Sequence, residues 1–178
     1  GVRLRWILNQ LKTISIDTPI ILMSYLNPLY VYGYTQLAQD SKDAGVDGFI
    51  VPDLPIEEGE ELREILKLAG LGMIQLVTPA TPEDRIKKIA AKSSGFLYAV
   101  TVKGVTGGND GLSKEVTGYL EAVKALATIP VCAGFGVRSS SDVALLEPLV
   151  DGVIVGSALV EAIEEQVSPV DFLTSLRA

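Results

Sequence analysis

The stretch Val131–Ser157, VCAGFGVRSSSDVALLEPLVDGVIVGS, carries the strongest fold signal in the chain. A short apolar run at Pro130–Ala133 ends in Gly134-Phe135-Gly136, and a second run at Gly152–Val155 ends in Gly156-Ser157. Such runs are typical of strands buried on both faces, and the segment between them has a helical pattern. We therefore predict two neighbouring strands, each of which ends in glycine just before a helix.

The two glycine turns predict a phosphate-binding site. Glycine allows the backbone to approach a ligand closely, and the free N–H groups at the start of a helix carry partial positive charge. Two such turns side by side, with the Ser157 hydroxyl as a further donor, form a cradle for a phosphate group. The alternative is that Gly134, Gly136 and Gly156 only allow tight turns between strand and helix.

The composition predicts one folded domain over residues 1–178, because 48% of the 178 residues are hydrophobic. The net charge of −7 argues against nucleic acid or an anionic membrane as a partner. No apolar run approaches the roughly 18 residues that a membrane span needs, and no signal-peptide pattern is found. A phosphate ligand must therefore be bound by backbone dipoles rather than by many lysine side chains.

Histidine is absent and Cys132 is the one cysteine, so the chain has no internal disulfide. A structural zinc site and a histidine-based catalytic triad are excluded for the same reason. Acid–base chemistry would have to come from carboxylates, lysines or tyrosines. The single cysteine suits a reducing compartment.

Six apolar runs alternate with helical patterns along the chain, and this alternation predicts a parallel sheet. Crossovers could curl such a sheet into an open doubly wound fold or into a barrel, and a phosphate site after the last two strands favours a (β/α)₈ barrel. Six strands leave that barrel incomplete. The motif VDGFIV at Val46–Val51 is echoed by VDGVIV at Val150–Val155 as a weak internal repeat. The runs are Pro19–Ser24, Val46–Val51, Gly72–Val77, Gly95–Val102, Pro130–Ala133 and Gly152–Val155.

Polar residues follow several of these runs, at the sheet edge where parallel α/β proteins bind ligands. Asp53 is the one carboxylate placed to touch a ligand, although it could equally cap a helix or form a turn. Tyr25 and Tyr98 could line an aromatic pocket or belong to the core. The glycine-rich loop Lys103–Gly111 is interpreted as a closing lid, with a simple connector as the alternative.

The chain resembles the α subunit of tryptophan synthase over nearly all of its length. That family is a (β/α)₈ barrel that cleaves indole-3-glycerol phosphate to indole and glyceraldehyde 3-phosphate. Indole then passes to a β subunit, which holds pyridoxal phosphate, so the resemblance implies no cofactor and no metal in this chain. The motifs that carry it are LMSYLNPLY (Leu22–Tyr30), DGFIVPDLPIEE (Asp47–Glu58), KGVTG (Lys103–Gly107), AGFGV (Ala133–Val137) and VGSA (Val155–Ala158).

The resemblance also implies roles for individual residues. It places phosphate ligands at Gly107, Phe135, Gly136, Gly156 and Ser157. It places the indole pocket at Met23, Tyr25, Ile50, Tyr98 and Phe135, with a lid threonine at Thr106. The positions that face the β subunit are Asn27, Asp53 and Pro55.

The segments that carry the family's catalytic glutamate and aspartate have no counterpart here, since the chain begins at what would be the family's second helix. We therefore assign no catalytic residue and expect little lyase activity from this chain alone. The open edges of an incomplete barrel favour self-association. Two alternatives stay open: another phosphate-binding barrel enzyme, and a non-catalytic phosphate-binding subunit that regulates a partner. The expected location is the cytoplasm, or the plastid stroma if the source is a plant.

Overall fold

Strands and helices alternate along the chain in the computed structural model, which describes residues 3–101, 112–134 and 136–177. The strands among them are β1 (Ile21–Met23), β2 (Gly48–Ile50), β3 (Gly72–Val77), β4 (Leu97–Val100), β5 (Val131–Gly134) and β6 (Gly152–Ile154). The helices are α1 (Leu4–Leu11), α2 (Leu26–Tyr32), α3 (Tyr34–Asp43), α4 (Glu60–Leu68), α5 (Glu83–Lys92), α6 (Lys114–Leu126), α7 (Ser140–Leu146), α8 (Ser157–Glu164) and α9 (Pro169–Ser175). Every one of the six predicted strands is present.

The chain divides into two compact units. Unit 1 comprises residues 1–75 and 92–95, and unit 2 comprises residues 76–91 and 96–178. That the chain forms a single domain over residues 1–178 stays a prediction. In the described part of the chain, every helix is too short or too polar to span a lipid bilayer.

Unit 1 contains parallel β1–β2 and β2–β3 pairs, with Ile21 opposite Gly48 and Gly48 opposite Gly72. The β2 and β3 backbones approach so closely that a Cβ on Gly48 would lie 2.6 Å from the carbonyl oxygen of Gly72. The three residues of β2 are buried, and α1, α2, α3 and α4 supply most of the remaining core. The fully buried leucines among them are Leu8, Leu29, Leu37, Leu62 and Leu66.

Unit 2 contains parallel β4–β5 and β5–β6 pairs, with Tyr98 opposite Cys132 and Cys132 opposite Gly152. Its buried side chains lie in the strands and on the inward faces of the helices. They include Leu97, Ala99, Leu120, Val123, Val131, Ala133 and Leu146.

The internal repeat has a structural basis in one aspartate of each unit. Asp47 donates its backbone N–H to the Ile20 carbonyl at 2.8 Å, and its carboxylate accepts the Ile20 N–H at 2.7 Å. Asp151 makes the same pair of bonds with Val131, at 2.8 Å each. In both units this aspartate therefore fixes the start of the preceding strand to the start of its own.

The prediction that all six strands are buried on both faces is wrong for β1 and β6. Met23 in β1 is 61% exposed, and the residues of β6 are only partly buried. Among the described pairs within each unit, β1 joins β2 and β6 joins β5. The apolar run therefore identified these strands but not how deeply they are buried.

Two helices begin where turn residues follow a strand. Helix α2 begins at Leu26, soon after β1 ends. Helix α4 begins at Glu60, because Glu58 and Gly59 donate N–H bonds back to the Pro55 carbonyl and form a separate turn before it. Glu57 and Glu58 are consequently outside the first turn of α4, whereas Glu60 and Glu61 are inside it.

Candidate functional site

In unit 2, the ring of Tyr98 in β4 lies beside Gly134, the last residue of β5. A Cβ added to Gly134 would lie 2.7 Å from Cε2 of Tyr98 and would also overlap its hydroxyl. The Gly134 carbonyl accepts bonds from the backbone N–H and the hydroxyl of Thr101, at 3.2 and 3.1 Å. Glycine at position 134 therefore leaves room for Tyr98 at the strand end.

Tyr98 is half-buried at this strand end, and burial raises the pKa of its hydroxyl. The hydroxyl makes no hydrogen bond to any residue that the structure describes. A neutral phenol of this kind can donate one hydrogen bond to a ligand and accept another. Tyr98 is therefore suited to binding and orienting a ligand, and it is a poor source of protons near neutral pH.

We expect Gly134→Ala to destabilise the chain by about 1–3 kcal/mol, since the methyl group must displace the Tyr98 ring. Urea unfolding of the variant measures this cost, and in a Tyr98→Ala background the cost should fall below about 1 kcal/mol. The matched control is Gly118→Ala in α6, where an added Cβ meets no atom within 4 Å. An equal loss with and without the Tyr98 ring would contradict this interpretation.

The turn after β5 differs from the prediction that a helix starts directly behind its glycines. Gly136 adopts φ +64°, but α7 begins only at Ser140. The Asp142 carboxylate accepts the N–H groups of Arg138 and Ser139 at 2.9 Å, and the Ser139 hydroxyl accepts the Asp142 N–H at 3.3 Å. This capping box already occupies the start of α7, so that helix end does not contribute to a phosphate cradle.

The turn after β6 matches the prediction. Helix α8 begins at Ser157 with Gly156 as its N-cap, and it has no side-chain cap and no acidic residue in its first turn. Helix geometry leaves the N–H groups of Ser157 and Ala158 without partners inside the helix. An added Cβ at Gly156 would meet no atom within 4 Å, so the space there is open. This helix start therefore offers free donors and no competing negative charge.

Arg138 connects the two turns. Its guanidinium donates to both carboxylate oxygens of Glu161 in α8, at 2.6 and 2.8 Å. Hydrogen bonding to Glu161 raises the pKa of Arg138, which therefore stays charged. The bidentate pair fixes the turn after β5 to α8. Sequence reasoning missed it because the two residues are 23 positions apart and no local pattern links them.

In unit 1, Asp53 acts as a helix cap. One of its carboxylate oxygens accepts the N–H of Leu26, the first residue of α2, at 2.8 Å. Asp53 is therefore not the N-cap of the helix that follows it, whose N-cap is Gly59, and its carboxylate bonds instead to the start of α2. The bond brings the loop of Asp53 and Pro55 to the start of α2, which carries Asn27, and these three residues are exposed.

The remaining residues of the predicted pocket are placed as follows. Met23 and Ile50 are opposite each other in β1 and β2, and Ile50 is buried. Tyr25 is 69% exposed, which excludes the alternative that it belongs to the core. The described residues do not include Phe135 or the loop Lys103–Gly111, which contains Thr106 and Gly107. Their predicted roles stay predictions.

Comparison with known proteins gives one consistent family. Residues 1–173 match the sequence model of the tryptophan synthase alpha chain. The tryptophan synthase alpha chain of Carboxydothermus hydrogenoformans is 47% identical over 153 residues, and that of Bacillus cereus is 43% identical over 152 residues. These matches cover 86% and 85% of this chain but only 57% and 59% of the relatives, so the chain spans less than two thirds of their length.

Solved structures agree with the sequence comparison. An alpha subunit from the tryptophan synthase a2b2 complex of Pyrococcus furiosus superimposes with a TM-score of 0.89 at 34% identity, covering 99% of this chain and 73% of that one. The tryptophan synthase alpha chain of Legionella pneumophila gives a TM-score of 0.83 at 33% identity, with coverages of 99% and 69%. This likeness confirms the predicted α/β fold of the (β/α)₈-barrel type, with six parallel strands.

Proposed function

This chain belongs to the tryptophan synthase alpha chain family, and we propose on that premise that it is part of a lyase acting on indole-3-glycerol phosphate. The products would be indole and glyceraldehyde 3-phosphate. The observation that carries the proposal is the uncapped start of α8, which follows directly on the end of β6 and is joined to the turn after β5 by Arg138.

The substrate phosphate would bind at the start of α8. The N–H groups of Ser157 and Ala158, together with the Ser157 hydroxyl, can each donate to a phosphate oxygen, and the helix dipole adds positive potential. Gly136 and the positions of Gly107 and Phe135 complete the proposed phosphate set. The backbone supplies these donors, which agrees with a chain whose net charge is −7.

The aromatic part of the substrate would be oriented by residues from the ends of other strands. In unit 2, the Tyr98 hydroxyl is available for a hydrogen bond, and its ring occupies the space that a Cβ on Gly134 would need. In unit 1, Met23 and Tyr25 expose large apolar surfaces next to buried Ile50. Phe135 is a further proposed indole contact, and Thr106 is the proposed lid residue.

The described residues support positioning of this substrate better than they support the chemical step. Cleaving the C–C bond leaves an electron pair on indole C3, so a proton must reach C3 as the bond breaks. Among the described strand ends Asp53 supplies the one carboxylate, and it is bonded to Leu26. We therefore propose that this chain orients the substrate and that proton transfer requires groups beyond those that its described residues supply.

A chimera tests the proposal. The part of the Carboxydothermus hydrogenoformans alpha chain that this chain does not match would be joined to residues 1–178, and indole release from indole-3-glycerol phosphate measured. We expect a rate within about tenfold of the natural alpha chain, falling at least about a hundredfold with Gly156→Val. An inactive chimera that folds and binds a phosphate ligand would favour the alternative of a non-catalytic regulatory subunit.

We also propose a beta chain as the partner of this chain, with pyridoxal phosphate held by that beta chain. The exposed residues Asn27, Asp53 and Pro55 are the proposed contact points. Asp53→Ala should weaken co-elution with a beta chain by at least about tenfold, because it removes a surface carboxylate and frees the start of α2. Asp17→Ala, which changes another exposed aspartate of unit 1, is the matched control and should leave co-elution unchanged. Equal co-elution of the two variants would contradict the proposed contact surface.

A further inference from the structure

A polar cleft on unit 1 shares no residue with the site described above. It has a volume of about 430 Å³ and lies between α1 and the α2–α3 segment. Helix α1 and its C-cap contribute Arg5, Asn9 and Lys12, and the α2–α3 segment contributes Tyr32, Gln36 and Asp40. We propose that this cleft binds a small oxyanion, meaning a carboxylate or phosphate group on a small molecule, through the charged donors of Arg5 and Lys12.

The one carboxylate of the cleft already has partners for both oxygens. The Tyr32 hydroxyl donates to one oxygen of Asp40 at 2.6 Å, and the Gln36 amide donates to the other at 2.9 Å. The bond from Tyr32, with help from Gln36 and the nearby charges of Lys12 and Arg5, lowers the pKa of Asp40. Asp40 is therefore ionised at neutral pH and held in place by neutral donors.

The two cations of the cleft are exposed to solvent. The Arg5 guanidinium lies 5.6 Å from the centre of the Tyr32 ring, where the cation–π attraction holds it over the cleft. Neither Arg5 nor Lys12 forms an ion pair with an acidic side chain in the part of the chain that the structure describes. Arginine has five N–H donors and lysine has three, so the cleft carries a surplus of charged donors.

This surplus determines the class of ligand. Two positive charges face one negative charge, so the cleft has a local charge of +1 in a chain whose net charge is −7. Arg5 and Lys12, both on α1 and its C-cap, offer charged donors that suit the oxygens of a carboxylate or a phosphate. Leu8, which is 1% exposed, closes the floor of the cleft. The volume lies within the range of small-molecule sites, about 300–1,000 Å³.

Residue-resolved NMR titration of the 178-residue chain tests the proposal, with inorganic phosphate and succinate as separate probes. We expect the amide signals of Asn9, Lys12 and Gln36 to shift and saturate with a dissociation constant of about 1 mM or below. Shifts at the start of α8 report the other proposed phosphate site and are read separately. Saturation by either probe supports the cleft and identifies the oxyanion it prefers. Saturation by neither overturns the proposal.

Two substitutions with opposite expected effects on affinity test the electrostatic basis of binding. Lys12→Gln should weaken binding at the cleft by about tenfold, because a charged donor is lost. Asp40→Asn should strengthen it several-fold, because it removes the repelling charge and keeps an acceptor for Tyr32. Lys42→Gln, at an exposed lysine of α3 outside the cleft, is the matched control. Unchanged affinity with Lys12→Gln, or weaker binding with Asp40→Asn at unchanged stability, would overturn the proposal.

Discussion

Gly156→Val is expected to weaken binding of a phosphate ligand by about a hundredfold or more. Gly156 is the N-cap of α8, and the space in front of it is open. A valine side chain would fill that space and keep a phosphate group away from the N–H groups of Ser157 and Ala158. Losing two or three charge-assisted hydrogen bonds accounts for a loss of this size.

Calorimetric titration with glycerol 3-phosphate measures the effect. Gly118→Val is the matched control, because Gly118 lies in a helix of the same unit and a Cβ there also meets no atom within 4 Å. Ser157→Ala removes only one hydroxyl donor and should cost about tenfold. Affinity that survives Gly156→Val unchanged would rule out a phosphate site at this helix start.

The 178-residue chain by itself is expected to release indole from indole-3-glycerol phosphate at least about a hundredfold more slowly than a full-length alpha chain. The chemical step needs a general acid at indole C3 and a base for the glycerol hydroxyl. Asp53 is bonded to Leu26, and the burial that raises the pKa of Tyr98 makes this tyrosine a weaker acid. The described strand ends therefore lack a group that can deliver the proton.

Indole release measures this activity, with the Carboxydothermus hydrogenoformans alpha chain as reference. Binding of glycerol 3-phosphate by the same preparation shows that the chain is folded, which separates missing chemistry from a missing fold. A rate within about tenfold of the reference would mean that residues of this chain transfer the protons. Tyr98→Phe would then test the remaining candidate.

Local patterns predicted the strands well because each strand is an apolar run bounded by turn residues. The predicted run Gly72–Val77 has the same bounds as β3. Strands β2, β4, β5 and β6 each begin and end within two residues of their predicted bounds. A local side chain also marks the start of α6 at Lys114, where Ser113 caps the helix. Helix α2 was missed, because its cap is Asp53, 27 residues along the chain from Leu26.

The sequence alone determined the α/β class, the six strands and the glycine turn that precedes α8, since these depend on hydrophobic periodicity and on backbone freedom within a few residues. The tertiary structure decided which partner each polar group has. It assigned Asp53 to the start of α2 and Arg138 to Glu161. Such pairings depend on which segments meet in space, and hydrogen bonds act over about 3 Å, so only the folded chain selects them.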